Sequence, residues 1–368
     1  MNRKRGLVAL SVAAIVTLLV VAVFAVVRPT TDEAELADSP SESGRSSAAP
    51  STGVTLSPRP READRPAKQP KPRKPQAAID QGAVTALKAA LKKAGRAQAA
   101  TPKPALVPGG PPKLDFVLSS FNVLGSSHSA PGGTRSAMAP GTTRIRWVAG
   151  LLARHGVDVV GFQEFQLDQA RTFSRVTRGR YGVYPGTRLG GRGAQNSIAW
   201  RTDTWEVVDA ATVPIPYFNG NRMPMPVVLL RNRDTGLRAY FTNFHNPASI
   251  SRLPNQGRWR GMALAREIAL VKRLIARTGY PVFLTGDLNE REDAFCAVTG
   301  RSAMVAANGG SNDGSCRPPG STGIDWIFGS PDATFSNYGA VRSGLVNRIS
   351  DHPMLLSNVR IEGGSGQR

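Results

Sequence analysis

An α/β or α+β sandwich over residues 111–362 is the fold class that the sequence predicts, on three observations. Short apolar runs of strand length alternate with two longer runs of helical period, and turn residues separate them. No internal repeat is visible. The 368 residues are 40% hydrophobic and 20% charged, enough to bury a core, which excludes wholesale disorder. Two cysteines and no CxxC pair exclude a disulfide scaffold and a structural zinc site.

The elements follow in order. Leu114 to Asn122 reads as a strand. Arg144 to His155 is an amphipathic helix, with Ile145, Val148, Leu151 and Leu152 on one face and Gly156 placed to end it. Val157 to Phe162 is an apolar strand, and Asn196 to Arg201 and Trp205 to Val213 are further strands. Val227 to Arg231 and Leu237 to His245 form a hairpin about Asp234-Thr235-Gly236. A longer helix, 258–278, carries Leu264, Ile268, Val271 and Ile275 and stops at Gly279. Pro281 to Thr285, Gly323 to Phe328 and Met354 to Ile361 complete the strands.

Two segments precede this domain. Asn2-Arg3-Lys4-Arg5 leads an uncharged run from Gly6 to Val27, about the length that crosses a ~30 Å hydrocarbon core. Basic residues before it and Asp32, Glu33 and Glu35 after it place the rest of the chain outside. Residues 1–28 are therefore expected to be a signal anchor, a transmembrane helix that tethers the protein, or a signal that is cleaved to release it. Residues 29–110, rich in Pro, Ser and Lys, are expected to be a disordered linker, and 363–368 a tail. The formal charge of the chain is +21, but residues 111–362 hold 29 Lys+Arg against 18 Asp+Glu, which leaves the domain at +11. Such a surface suits a phosphate-bearing substrate without requiring one.

Polar residues stand at the ends of the apolar runs: Asn122, Glu164, His245 with Asn246, Asp287 with Asn289, Asp325, and Asp351 with His352. A carboxylate in a buried strand costs several kcal/mol unless it is paired or metal-bound, so a cluster of them implies one shared polar site. There is no GxSxG elbow and no unpaired nucleophile motif, which argues against acyl-enzyme chemistry. Oxygen donors such as Glu164 and Asp351 suit Mg²⁺, Mn²⁺ or Ca²⁺ rather than zinc. A carboxylate to orient water, beside a histidine to meet a phosphate oxygen, suits phosphoester hydrolysis.

Phe121-Asn122-Val123, Gln163-Glu164, Phe244-His245-Asn246-Pro247, Gly286-Asp287-Leu288-Asn289, Ile324-Asp325-Trp326-Ile327 and Ser350-Asp351-His352-Pro353 resemble, in order, the motifs of the endonuclease/exonuclease/phosphatase superfamily, which includes deoxyribonuclease I. The resemblance implies a four-layer α+β (α/β) sandwich, two mixed β-sheets face to face with helices outside. It also implies a metal-dependent phosphoesterase. Glu164 would hold Mg²⁺ or Mn²⁺, with Ca²⁺ an alternative, supported by Asn122 and Asp351. Asp287 would orient or deprotonate water, and Asn289 would grip a phosphate oxygen. His352 would contact the scissile phosphate, oriented by Asp325, and His245 would assist the leaving group. Asn246 and Asn196 are candidate substrate contacts. His128 and His155 receive no role.

Each residue has a plainer reading: Asn122 as a turn cap, Glu164 as a strand-end ion pair, Asp287 as a loop cap, His245 and His352 as structural histidines. Cys296 and Cys316 are expected to pair in an exported chain, two separate buried thiols being the alternative. The expected function is an extracellular, metal-dependent nuclease acting on phosphodiesters, with nucleic acid as partner. A phospholipid or phosphoinositide phosphoesterase is the alternative, with Pro214-Ile215-Pro216-Tyr217-Phe218 as the one hydrophobic loop that favours it. An inactive wall-associated binding module is a third reading. The oligomeric state stays open.

Overall fold

The structure is a computed structural model and describes residues 111–363. The expected signal anchor and linker lie outside the described residues. Among the described residues, no helix is long and apolar enough to cross a membrane.

In chain order the strands are β1 (Lys113–Asn122), β2 (Val159–Gln163), β3 (Tyr181–Tyr184), β4 (Ser197–Arg201), β5 (Trp205–Pro216), β6 (Arg222–Asn232), β7 (Arg238–His245), β8 (Val282–Asp287), β9 (Val305–Ala306), β10 (Ser311–Asn312), β11 (Cys316–Arg317), β12 (Asp325–Gly329), β13 (Thr334–Val341) and β14 (Met354–Glu362). The helices are α1 (Gly141–Arg154), α2 (Leu167–Thr177), α3 (Gly190–Ala194), α4 (Gly257–Thr278), α5 (Glu292–Ser302) and α6 (Gly344–Ile349). One six-stranded sheet has the order β13-β14-β1-β2-β4-β3 and the other β5-β6-β7-β8-β12-β9. Both are mixed: β1 runs parallel to β2 and β7 parallel to β8, while their other pairings are antiparallel.

Three apolar layers hold the sheets and helices together. Leu114, Phe116 and Leu118 of β1 meet Phe241 of β7, Phe283 of β8 and Ile327 of β12 between the two sheets. On the outer face of the first sheet, Val160 and Phe162 pack against Ile145, Val148 and Leu152 of α1 and Phe173 of α2. On the outer face of the second, Leu284, Trp326 and Phe328 pack against Ile268, Val271 and Leu274 of α4 and Phe295 of α5. Helix, sheet, sheet and helix thus stack as the expected four layers.

Strand alternation explains where the polar residues go. Side chains two apart share a face. Leu114, Phe116 and Leu118 point between the sheets, so Ser120 and Asn122 do as well. By the same parity Phe241 carries Asn243 and His245 inward, Phe283 carries Thr285 and Asp287, and Ile327 carries Asp325. The intersheet core therefore turns polar at one end. The first polar layer links the sheets: Gln163 Nε2 donates to Asn243 Oδ1 (2.6 Å), and Thr285 Oγ1 donates to the same oxygen (3.1 Å). Gly161 lets the sheets approach here, since a Cβ would lie 2.0 Å from Thr285 Oγ1 and 2.5 Å from Asn243 Oδ1.

Gly156 and Gly279 follow α1 and α4 at φ 60° and 65°, the left-handed stops that the sequence predicts. Cys296 of α5 and Cys316 of β11 form the expected disulfide, with Cα atoms 5.5 Å apart.

Candidate active site

Beyond the polar layer, the strand ends and the loops after them build a pocket of acids, amides and imidazoles. Three non-glycine residues just past strand ends have positive φ: Leu124 at 55°, Glu164 at 56° and Asn289 at 50°. Such backbone is disfavoured for L residues and tends to persist where surrounding contacts hold it for function.

Asn122 is the link between two carboxylates. Its Nδ2 donates to Glu164 Oε1 (2.9 Å) and to Asp287 Oδ2 (3.2 Å), while its Oδ1 accepts from Leu124 N (3.0 Å). The amide thus turns its donor, not its oxygen, towards the pocket. Glu164 Oε2 accepts from Gly125 N (3.0 Å) and lies 3.2 Å from His128 Nε2. Burial pushes the Glu164 carboxyl up, but the hydrogen bond from His128, the His245 charge and the Gly125 amide outweigh it and hold the group ionised well below the usual carboxylate range.

Asp287 sits at the centre. Its Oδ1 accepts from Asn289 N (3.0 Å), and its Oδ2 lies 3.5 Å from His245 Nε2 and 3.7 Å from His352 Nε2. Burial and the Asp325 charge push its carboxyl up to about 6 against the opposing pull of His245, His352 and Asn122. His352 Nδ1 donates to both oxygens of Asp325 (3.0 and 2.9 Å), which aims Nε2 at Asp287. Burial pulls the His352 imidazole down, but the Asp325 hydrogen bond and charge, with Asp287 and Asp351, push it up to about 10. Ser350 Oγ donates to Asn122 O (2.7 Å) and accepts from His352 N (3.1 Å), tying that loop to the end of β1.

Other expected residues are placed differently. Asp351 is exposed and turns to Arg135 Nη2 (3.2 Å), so as placed it braces the loop after β1 instead of facing Glu164. Asn246 is buried: its Nδ2 donates to Glu267 Oε2 of α4 (3.3 Å), and its carbonyl accepts from Asn289 Nδ2 (2.8 Å). It supports Asn289 from behind. Asn196 is buried beside Gln195, whose carbonyl accepts from Phe165 N (2.9 Å), and its own Oδ1 lacks a hydrogen-bond donor.

Among the described residues, Asp287, Asp325 and His352 form a group that could hold a metal, with donor atoms within 4.8 Å of one another. Asp325, however, already spends both oxygens on His352 Nδ1. The trio is knit as an acid–base group, whereas Glu164, with Asn122 and Gly125 as neutral donors, is held as an ionised carboxylate. Its hard oxygen donors fit a divalent cation.

Residues 119–352 match the model of the Endonuclease/Exonuclease/phosphatase family. The chain belongs to that family. No curated protein matches it. An endonuclease/exonuclease/phosphatase family protein of Bacteroides thetaiotaomicron superposes with a TM-score of 0.52 at 20% identity, over 68% of this chain and 99% of that one. A mannosyl-6-phosphatase of the same organism gives 0.50 at 19%, over 66% and 99%. The 2′,3′-cyclic phosphatase ANGEL2, in complex with adenosine-2′,3′-vanadate, gives 0.51 at 15%, over 68% and 96%. At these identities the likeness is one of fold. Endonuclease/exonuclease/phosphatase members are hydrolases of phosphoester bonds, typically dependent on a divalent metal, and this chain is one of them.

Within that family frame, sequence reasoning passed over four residues. His128 reaches Glu164 from a Ser/Gly loop without periodicity. Tyr217, in the hydrophobic run noted above, is turned inward, with its hydroxyl 3.5 Å from His245 Nδ1 and its titration pushed up by burial and by Glu164 and Asp287. Arg144 is fully buried and donates to the carbonyls of Val123 (2.7 Å), Leu124 (2.8 Å), Gly125 (3.2 Å) and Ile349 (2.8 Å). Its position at a helix start hides this clamp. Glu267 lies on the apolar face of α4, and its carboxyl is pushed up to about 8 by burial, against the Asn246 hydrogen bond.

Proposed function

We propose that the protein is an exported phosphodiesterase that cleaves nucleic acid, with Mg²⁺ or Mn²⁺ held by Glu164. The carrying observation is the buried carboxylate of Asp287, whose Oδ2 lies 3.5 Å from His245 Nε2 and 3.7 Å from His352 Nε2. In this reading Asp287 orients the attacking water and takes its proton. His352, held as imidazolium by Asp325, meets a non-bridging phosphate oxygen and the charge that grows there. His245 gives a proton to the departing oxygen, which completes hydrolysis of the P–O bond. The cation, when bound, supplies a charge that polarises the phosphoryl oxygen. Asn289 steadies the phosphate from the Asp287 loop.

Three observations support a nucleic-acid substrate. The domain carries +11. Two histidines flank the phosphate-side carboxylate. ANGEL2, of the same fold, carries an adenosine-2′,3′-vanadate. Tyr217 packs against Phe218 and His245 (ring centroids 4.6 and 5.6 Å apart), so the hydrophobic run does not offer Tyr217 to a lipid surface. The uncharged run from Gly6 to Val27 and the Cys296–Cys316 bond both support export to an oxidising compartment.

Supercoiled plasmid, a short RNA, mannose 6-phosphate and phosphatidylinositol 4,5-bisphosphate vesicles, each with Mg²⁺, Mn²⁺ or EDTA, test this on the full chain and on Asp287→Asn. Metal-dependent cleavage of nucleic acid that Asp287→Asn removes is the expected result. Turnover of the sugar phosphate or the lipid alone overturns the nucleic-acid reading and keeps the phosphoesterase.

A further inference from the structure

His128 has no place in the reading above, yet it is held against the carboxylate assigned to the metal. Its Nε2 lies 3.2 Å from Glu164 Oε2. Its Nδ1 lies 2.9 Å from Thr134 Oγ1. The loop that carries it is built tightly: Arg144 donates to Gly125 O (3.2 Å), Ala139 O (2.9 Å) and Ser129 Oγ (3.1 Å). Arg135 N donates to His128 O (2.7 Å), and a Cβ on Gly133 would lie 2.4 Å from the carbonyl oxygens of Ser127 and His128. The imidazole is thus presented by a short loop with little freedom to relax.

Two features match those of a metal-binding histidine. A histidine that binds metal usually donates its other ring N–H to an oxygen, which fixes the tautomer, and Thr134 Oγ1 stands where Nδ1–H would donate. Without a cation Nε2–H donates to Glu164 Oε2; with the ring proton on Nδ1 and donated to Thr134 Oγ1, the Nε2 lone pair would instead face an ion shared with Glu164. Two donors bound side by side to one ion at about 2.1 Å lie roughly 3 Å apart, close to the separation seen here.

We propose that His128 Nε2 and the Glu164 carboxylate share one divalent cation, so that the site is a mixed nitrogen–oxygen site that prefers Mn²⁺ to Mg²⁺. Mg²⁺ is held by oxygen and water in a strict octahedron, so a nitrogen donor costs it more than it costs a first-row transition ion such as Mn²⁺. Asn122, which turns its amide donor to Glu164 Oε1, and Gly125 N, which donates to Oε2, orient the carboxylate, and the remaining lone pair of Oε2 faces the ion. This inference rests on the assignment of the metal to Glu164.

Calorimetric titration of the full chain with Mn²⁺ and with Mg²⁺ tests it, on the parent, His128→Ala, His128→Gln and Glu164→Gln. Pulsed electron spin-echo spectroscopy of the Mn²⁺ form adds a readout independent of activity. The parent is expected to bind Mn²⁺ at least about tenfold more tightly than Mg²⁺ and to show nitrogen modulation of the manganese echo. His128→Ala loses the modulation and most of that preference. His128→Gln, which offers oxygen in place of nitrogen and keeps the loop filled, restores binding without the preference. Glu164→Gln abolishes binding of both ions. If Glu164→Gln binds as the parent does, the metal assignment itself fails. If it abolishes binding while His128→Ala keeps both preference and modulation, the assignment stands and the role of His128 is overturned. A parent with no nitrogen modulation overturns it equally.

Discussion

Both carboxylate oxygens of Asp325 lie within 3.0 Å of His352 Nδ1, on opposite sides of the opening between the two sheets. Asp325 comes from β12 of one sheet and His352 from the loop before β14 of the other, so the pair sets the imidazole direction across that opening. Asp325→Asn is expected to lower kcat by about 10²–10⁴-fold with little change in KM, because the orientation and charge of the imidazolium that meets the phosphate oxygen are lost while the other substrate contacts remain. The alkaline limb of the pH profile, set by loss of the His352 imidazolium proton, moves to lower pH, since without the carboxylate His352 releases that proton earlier. Steady-state kinetics from pH 6 to 10 on the strongest substrate of the panel above measures both.

Asn122 separates Glu164 from Asp287 by donating to each. Asn122→Asp replaces that donor with a third carboxylate, and like charges this close are costly without a cation. The variant is expected to melt several degrees below the parent in EDTA. It should recover more of the loss on adding Mn²⁺ than the parent gains. Thermal melts with and without metal check this, and an unchanged melting point in EDTA would show that Asn122 does not separate the acids.

Glu267 gives the stability a pH dependence of known sign. Its folded carboxyl is raised to about 8 from an ordinary value of 4.5, so the folded state retains a proton that the unfolded state has lost. Stability is therefore full below the ordinary value and declines as pH rises towards the folded one. Between pH 6 and 8 the parent is expected to lose on the order of 2 kcal/mol that Glu267→Gln keeps. Urea unfolding at the two pH values, read as the difference between the two proteins, isolates this residue from the other titrating groups.

Gly161 marks the closest approach of the sheets. Gly161→Ala forces its methyl into Thr285 Oγ1 and Asn243 Oδ1, short side chains fixed by their own hydrogen bonds. A destabilisation of roughly 1–3 kcal/mol is expected. A companion change, Thr285→Ala, removes the nearer of the two contacts and leaves the one with Asn243 Oδ1. A double variant no less stable than Thr285→Ala alone would tie the cost to the Thr285 contact.

The elements that were legible are those whose periodicity serves one purpose. α1 and α4 show a clean apolar face and end in glycine, and the central strands are apolar until their last polar residue. Others are masked by their surroundings. β6 begins at Arg222, well before the expected Val227, because Pro224 and Pro226 lie where it pairs with β5 and its pairing with β7, which starts at Val227, is absent. β13 is an edge strand with no buried residue and a bulge between Ser336 and Gly339 that breaks its alternation. α2 buries Gln169, Thr172 and Thr177 beside Phe173, and its cap is a reciprocal Gln166–Gln169 pair instead of a serine or aspartate. In the site, the residues at strand ends were legible because a charge there contrasts with the apolar run before it. His128, Tyr217 and Glu267 lack that contrast. Their roles depend on which loop or helix folds over which strand end, information that no local spacing carries.

The alternation that delivers Asn122, His245, Asp287 and Asp325 to one opening also constrains how the protein can change. Deleting or inserting a single residue within β1, β7, β8 or β12 would turn the terminal side chain from the opening into a helix-packed layer. The lengths of those strands are thus locked, whereas the surface hairpins and connections beyond them are not. Substrate preference can drift, or be re-engineered, by exchanging whole loops such as the turn between β5 and β6, while the reacting groups keep their places.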